Sequence, residues 1–283
     1  LSCIRHSFLC LISGPFCWYC SQWRSQFQNS LHHLNAGSAT THRKDNSTIH
    51  KFIRRSSMNF VIPHTVASIE VTGTDERFPV RRIYCIGRNY LAHIREMGND
   101  ERKPPFFFQK PPDALVPTGG EFPYPPQSDN VHHEIELVIA IAKGGKDITV
   151  EDALDHVYGY SLGLDMTRRD QQNKAKAEGK PWEAAKGFDH SAPIAPIRPV
   201  SEIGHPDSGR IWLAVNGETR QDSDLNLQIW NVQEGISHLS KLYKVMPGDL
   251  IFTGTPDGVG PVSPGNVMTG GIDGIGDIII SVV

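Results

Sequence analysis

With 283 residues, 39% of them hydrophobic, the chain can build a sizeable core. Its net charge of −3 argues against a nucleic-acid surface, and no apolar run approaches the roughly 18 residues of a membrane span, so neither partner is expected. The charge is uneven: Leu1 to Ser57 holds seven Lys/Arg against one acid, Asp45, which leaves the remainder at −9.

Four of the five cysteines (Cys3, Cys10, Cys17, Cys20) also lie in that leading stretch. The rest, with Cys85 alone, has no disulfide framework and suits a reducing, cytoplasmic compartment. Residues 1–57 show neither a period of 2 nor one of 3.6, and composition changes abruptly at Met58-Asn59-Phe60. They are expected to be an unstructured leader or translated upstream sequence, with the catalytic domain at 58–283. Their Arg- and Ser-containing, acid-poor composition also fits a mitochondrial presequence, which gives the alternative location. Cys17, Cys20, His32 and His33 approach finger-like zinc spacing, but the two histidines are adjacent where three to five residues should separate them.

Along the body, Val80 to Gly87 (VRRIYCIG) has strand character, and Arg88 to Met97 reads as a short polar helix or lid ended by Gly98. Phe106 to Phe108 is an apolar plug, after which Pro111, Pro112, Pro117, Pro123, Pro125 and Pro126 predict an irregular extended loop. His132 to Ala140 (HHEIELVIA) is a strand. Thr149 and Asp152 predict a capped helix ending near Gly159, followed by a strand over Tyr160 to Asp165. Thr167 to Ala177 is polar and helical, stopped by Gly179. Asn216-Gly217 predicts a hairpin between Ile211 to Val215 and the segment from Glu218, because both turn positions need positive φ. Asn231 with Glu234 caps a helix whose Val232, Ile236, Leu239 and Tyr243 share a face. Pro247-Gly248 then turns the chain into a strand over Asp249 to Thr253, and Ile278 to Val283 forms the last. Many strands, few short helices and no βαβ alternation predict an α+β fold, a single domain on a large mixed sheet or β-roll.

Glu134 and Glu136 stand out within an apolar, β-branched run. Side chains alternate faces along a strand, so the two point the same way, as does His132. At a separation of roughly 6 Å and an effective dielectric near 20 their repulsion is about 3 kcal/mol, so a positive group should sit between them. A lysine or arginine could serve, and the faces could equally be solvated. Asp165, at the end of an otherwise uncharged strand, adds a third carboxylate and favours a cation. All-oxygen ligation selects Mg²⁺ or Mn²⁺, with Ca²⁺ a further candidate, over zinc.

GRNYLAHIREM (Gly87 to Met97), HHEIEL (His132 to Leu137), LDMTRRD (Leu164 to Asp170), GKPWEAAKGFD (Gly179 to Asp189), VNGETRQ (Val215 to Gln221) and GDLIFTGTPDGVGPV (Gly248 to Val262) resemble, in order, the fumarylacetoacetate hydrolase family. IYCIGRNY and PPFFFQKP are most similar to its fumarylpyruvate hydrolase and acylpyruvase members. The resemblance implies that Glu134, Glu136 and Asp165 hold the divalent metal. It implies a lid dyad of His93 and Glu96, with Glu96 orienting the imidazole that takes a proton from water. Lys186 would bring an ammonium to the substrate, Arg169 and Gln172 would meet substrate oxygens, and Thr255 would receive a substrate carboxylate on a loop opened by Gly254 and Gly258. Arg168 is read as a surface residue, and His132 and His133 as supports. The implied chemistry is attack of water on the 4-carbonyl of a 2,4-dioxo acid, breaking C3–C4 and releasing the pyruvate enolate. Fumarylpyruvate would give fumarate and pyruvate, as in aromatic catabolism by the gentisate route. The family also implies a homodimer, and includes oxaloacetate decarboxylases and dioxo-acid isomerases with nearly the same ligands.

Two rival motifs are weaker. Gly159-Tyr-Ser-Leu-Gly163 matches the G-x-S-x-G elbow of serine hydrolases, but it lacks the strand-before, helix-after setting and an oxyanion loop. Gly271 to Gly276 (GIDGIG) is followed by no helix and reads as a turn rather than a phosphate cradle. A non-enzymatic binding protein would have no use for His93, Glu96 and Lys186 together.

Overall fold

The computed structural model describes residues 60–90 and 103–283. The largest sheet has eight strands and is mixed. Its spatial order is Phe106–Lys110, Arg82–Gly87, Asp249–Phe252, Ile135–Ile141, Val157–Leu164, Ala192–Ile194 and Leu115–Pro117, with Arg198–Pro199 also pairing onto Val157–Leu164. Arg82–Gly87 runs parallel to Asp249–Phe252, while Ile135–Ile141 is antiparallel to both of its neighbours. A five-stranded sheet is built on the Arg210–Val215 and Glu218–Asp224 hairpin. Thr167–Arg168, Val131–His133 and Gly260–Val262 make a three-stranded sheet, and Ser68–Glu70 pairs with Arg77–Pro79. Helices are few: Arg169–Glu178, Glu183–Lys186, Val200–Ile203 and Val232–Leu242 among the described residues. The α+β class expected from the sequence is therefore the class observed.

The central strand Ile135–Ile141 is buried along its whole length. Its odd-numbered residues Ile135, Leu137, Ile139 and Ile141 join the larger apolar cluster, and Val138 and Ala140 join a smaller one with Ile83, Cys85, Leu250 and Phe252. Both faces are covered, which is why the segment reads as a continuous apolar run with no polar alternation. Glu134 and Glu136 lie on the even face, at the end where the smaller cluster stops.

Several local readings hold. The hairpin turn has Asn216 at φ 52° and Gly217 at φ 80°, as a two-residue turn of this twist requires. Arg169–Glu178 ends on Gly179, and Asn231 and Glu234 form a reciprocal cap at the start of Val232–Leu242. Others change. The 132–140 segment is interrupted at Glu134, with Val131–His133 in the three-stranded sheet and Ile135–Ile141 in the eight-stranded one. Phe106 to Phe108 is no plug but the start of an edge strand, with Phe106 opposite Gly87, where a Cβ would run into the Phe106 ring. The proline-rich stretch contains a 3₁₀ turn at Pro112–Ala114 and two short strands. Thr149 and Asp152 exchange hydrogen bonds, but only a 3₁₀ turn over Ala153–His156 follows before the strand begins at Val157.

Candidate metal centre

The sheet register brings the acids together. Ile135 pairs with Leu164 and Glu136 with Gly163, and the Asp165 amide donates to the Glu134 carbonyl at 2.8 Å, so Glu134 lies directly beside Asp165. One carboxylate oxygen from each of Glu134, Glu136 and Asp165 falls within 4.8 Å of the others. Their exposures are 7%, 2% and 1%.

Two of the three are compensated by protein cations. Lys186, itself buried, lies 2.7 Å from Glu134 Oε2 and 2.6 Å from Asp165 Oδ2, and gives its third hydrogen to Thr167 Oγ1 at 2.7 Å. Arg169 pairs with the other oxygen of Glu134. Lys110 Nζ stands 2.8 Å from Asp165 Oδ1, an ion pair off hydrogen-bonding alignment, and donates to the Met166 and Lys186 carbonyls. Burial alone would push the Glu134 carboxyl up, but Lys186 and Arg169 outweigh it and hold it down at about 2. The Lys186 ammonium is pushed down by burial and more strongly up by Asp165 and Glu134, so it stays charged.

Glu136 is the exception. Among the described residues it has no ion-pair partner, and its Oε2 receives only the Gly254 amide at 2.7 Å. Burial, then Asp165 and Glu134, push its carboxyl well above the ordinary range. A lone carboxylate buried beside two others needs a cation. The donor set fits a hard divalent ion: all oxygen, closely spaced, with Asp165 Oδ1 receiving no aligned hydrogen bond and Glu136 paired, among the described residues, with no protein cation.

The acids line a cavity of about 60 Å³ with Arg88, Arg169, Gln172, Lys176, Trp182, Lys186 and Thr255 on its walls. Arg88, Phe108 and Trp182 also border a neighbouring cleft of about 890 Å³. The structure thus gathers Glu134, Glu136, Asp165, Lys186, Arg169, Gln172 and Thr255 at one place. His93 and Glu96 lie outside the described residues. Arg169 and Gln172 touch one another and Arg169 Nε reaches His132 Nδ1 at 3.3 Å. Burial, then Arg169, hold His132 down at about 4. Arg168 packs over the Phe188 ring and donates to the Ala184 carbonyl.

One expectation gains detail and one needs correcting. Lys186 spends all three hydrogens on protein oxygens, so it presents a charge to the cavity rather than a free donor. Gly254, at φ 92°, has its Cβ position 2.7 Å from Asn89 Cβ, and its amide serves Glu136. Its freedom therefore seats the loop on protein rather than admitting a ligand. Residues missed by the sequence are Lys110 and Thr167, which complete the charge cluster, and Asn89, which bridges Trp230 and Thr253 through its amide. The one available signal for Lys110 was a lysine closing an apolar strand.

Ser161 is fully buried inside its strand and donates to the Ala195 carbonyl at 2.7 Å, so it is a structural hydroxyl, not a nucleophile. Gly271 to Gly276 spans the turn between Val267–Ile272 and Gly276–Val282.

An oxygen-lined seat for a divalent ion, at the ends of two interior strands of a large mixed sheet, defines an α+β metalloprotein class. Residues 82–283 match the family model for the fumarylacetoacetate hydrolase C-terminal domain, and the chain belongs to that family. It is 43% identical over 196 residues to a mitochondrial oxaloacetate decarboxylase of Dictyostelium discoideum, covering 69% of this chain and 90% of that one. A mitochondrial oxaloacetate tautomerase of Arabidopsis thaliana is 42% identical over 197 residues, covering 70% and 88%. Among solved structures, the fumarylpyruvate hydrolase of Pseudomonas aeruginosa, in complex with Mn²⁺ and pyruvate, superposes with a TM-score of 0.77 at 54% identity over 80% of this chain and 99% of that one.

Proposed function

We propose that the chain hydrolyses the C3–C4 bond of a 2,4-dioxo acid carrying a second carboxylate, with fumarylpyruvate as the substrate and fumarate and pyruvate as products. The observation that carries this is the charge balance of the cavity. Glu134, Glu136 and Asp165 are already matched in number by Lys186, Lys110 and Arg169, so a divalent ion beside Glu136 leaves the site with a surplus of positive charge. Lys176, exposed and lying over the Trp182 ring, and Arg88 add to it on the outer wall. A dianion satisfies that surplus better than a monoanion. The 54% identity to a fumarylpyruvate hydrolase supports the same choice.

When bound by Glu134, Glu136 and Asp165, Mn²⁺ or Mg²⁺ supplies Lewis-acid polarisation of the substrate oxygens. Lys186 then places a fixed positive charge where enolate charge develops as C3–C4 breaks. Thr255 receives the carboxylate next to the 2-oxo group, Arg169 and Gln172 orient the dioxo oxygens, and His93, oriented by Glu96, takes the proton from the attacking water. Lys176 and Arg88 receive the distal carboxylate. Charge-assisted hydrogen bonds of about 1.5–3 kcal/mol correspond to roughly 10- to 100-fold in kcat/KM, which is the expected preference for fumarylpyruvate over acetylpyruvate. Lys176→Gln should remove most of that preference by raising KM for fumarylpyruvate alone. Equal kcat/KM for both substrates in the wild type would defeat the proposal.

The oxaloacetate enzymes among the relatives support a second reading, decarboxylation or tautomerisation of oxaloacetate at the same site. Pyruvate formed from oxaloacetate faster than from fumarylpyruvate would favour it. We place residues 1–57 outside the catalytic unit and take the functional form to be a homodimer; the mitochondrial relatives support a presequence role for the leader. A chain starting at Met58 that retains turnover, and its mass by light scattering, test these assignments.

A further inference from the structure

Gln221 closes the VNGETRQ motif, yet the chemistry above gives it no part. It is fully buried, and its amide makes four hydrogen bonds. Oε1 accepts from the Ile135 amide at 3.1 Å and meets His133 Nδ1 at 3.0 Å. Nε2 meets Thr255 Oγ1 at 2.8 Å and donates to the Pro256 carbonyl at 3.0 Å.

Two of these partners fix the rest. A backbone N–H can only donate, so the atom facing Ile135 is the amide oxygen; a carbonyl can only accept, so the atom facing Pro256 is the nitrogen. His133 therefore carries its proton on Nδ1. Thr255 Oγ1 must accept from Gln221, which leaves its own hydrogen uncommitted. Among the described residues that hydroxyl has no other hydrogen bond, and Thr255 lines the cavity holding the acids.

We infer that Gln221 is a positioning residue: by occupying the acceptor side of the Thr255 hydroxyl, it turns the hydroxyl hydrogen into the cavity as a donor for the substrate carboxylate. The same amide clamps the chain on both sides of Glu134, through His133 and Ile135, so one side chain couples the substrate loop to the metal-ligand segment. The inference rests on Thr255 as the carboxylate receptor. It adds that the donor direction is imposed from behind, by a residue that touches no substrate.

The two ends of the amide can be separated experimentally. Gln221→Glu keeps an acceptor for Ile135 and His133 but withdraws the donor from both Thr255 and the Pro256 carbonyl and offers Thr255 an acceptor instead, so the hydroxyl turns away from the cavity. KM for fumarylpyruvate should rise about tenfold, the cost of one hydrogen bond to a charged group, with kcat within about twofold and the Mn²⁺ Kd unchanged. Gln221→Met removes both ends and should raise the KM and the Mn²⁺ Kd together; it also carries the test if the glutamate variant does not fold. Thr255→Val should raise KM on its own, and adding Gln221→Glu to it should raise KM little further. If Thr255→Val raises KM while Gln221→Glu and Gln221→Met leave it unchanged, or if the two effects multiply, the positioning role is overturned and the Thr255 assignment survives. If Thr255→Val leaves KM unchanged, the assignment itself falls.

Discussion

At the scale of single residues, the charge cluster makes the two lysines unequal to surface lysines. Lys110 is 2% exposed and pairs with Asp165 while donating to two carbonyls. Lys110→Met would leave Asp165 with Lys186 as its remaining cation and strip the Met166 and Lys186 carbonyls of their donor, a change expected to cost about 1–3 kcal/mol. Urea unfolding should show that loss in metal-free protein and a smaller one with saturating Mn²⁺, because the ion then supplies positive charge beside the same acids. Equal losses in both conditions would mean that Lys110 acts through packing alone. The acids themselves were legible in the sequence, because strand alternation and a lone aspartate at a strand end need only local pattern. Lys110 and Gln221 were not, since what makes each important is a partner 55 and 86 positions away, Asp165 and Ile135.

At the scale of elements, local signals succeeded where nothing competed with them. The cap of Val232–Leu242 is written entirely in Asn231 and Glu234, each side chain serving the other's backbone. Asn231→Ala should therefore cost about 1 kcal/mol, read as a lower denaturant midpoint at unchanged slope. The helix expected after Thr149 failed for the opposite reason. Thr149 and Asp152 do bond to each other, but Val157, Gly159 and Tyr160 are claimed by pairing with Ile141, Ala140 and Ile139 on the central strand, and tertiary pairing overrides a short helical segment. The interruption at Glu134 was likewise invisible locally, because His133 and Ile135 belong to different sheets that meet only in the folded chain.

At the scale of the whole molecule, three buried carboxylates make the fold sensitive to its ion. A ligand that binds only the folded chain stabilises it by about 2.7 kcal/mol at a hundredfold excess over Kd, which for a protein of this size is roughly 5–10 °C in Tm. Mn²⁺ should produce such a rise and EDTA should reverse it, while Glu136→Gln should flatten the response; an ion-independent Tm would contradict the assignment of the seat. The central strand carries a further consequence for how such a chain can diverge. Because Ile135–Ile141 is covered on both sides and the acids share its even parity, deleting one residue after Glu136 would exchange every downstream side chain between the two apolar clusters. Losing a pair would shorten the strand but preserve its sidedness. Length variation among descendants of this protein is thus confined to even steps in that segment, however freely the side chains around the cavity drift.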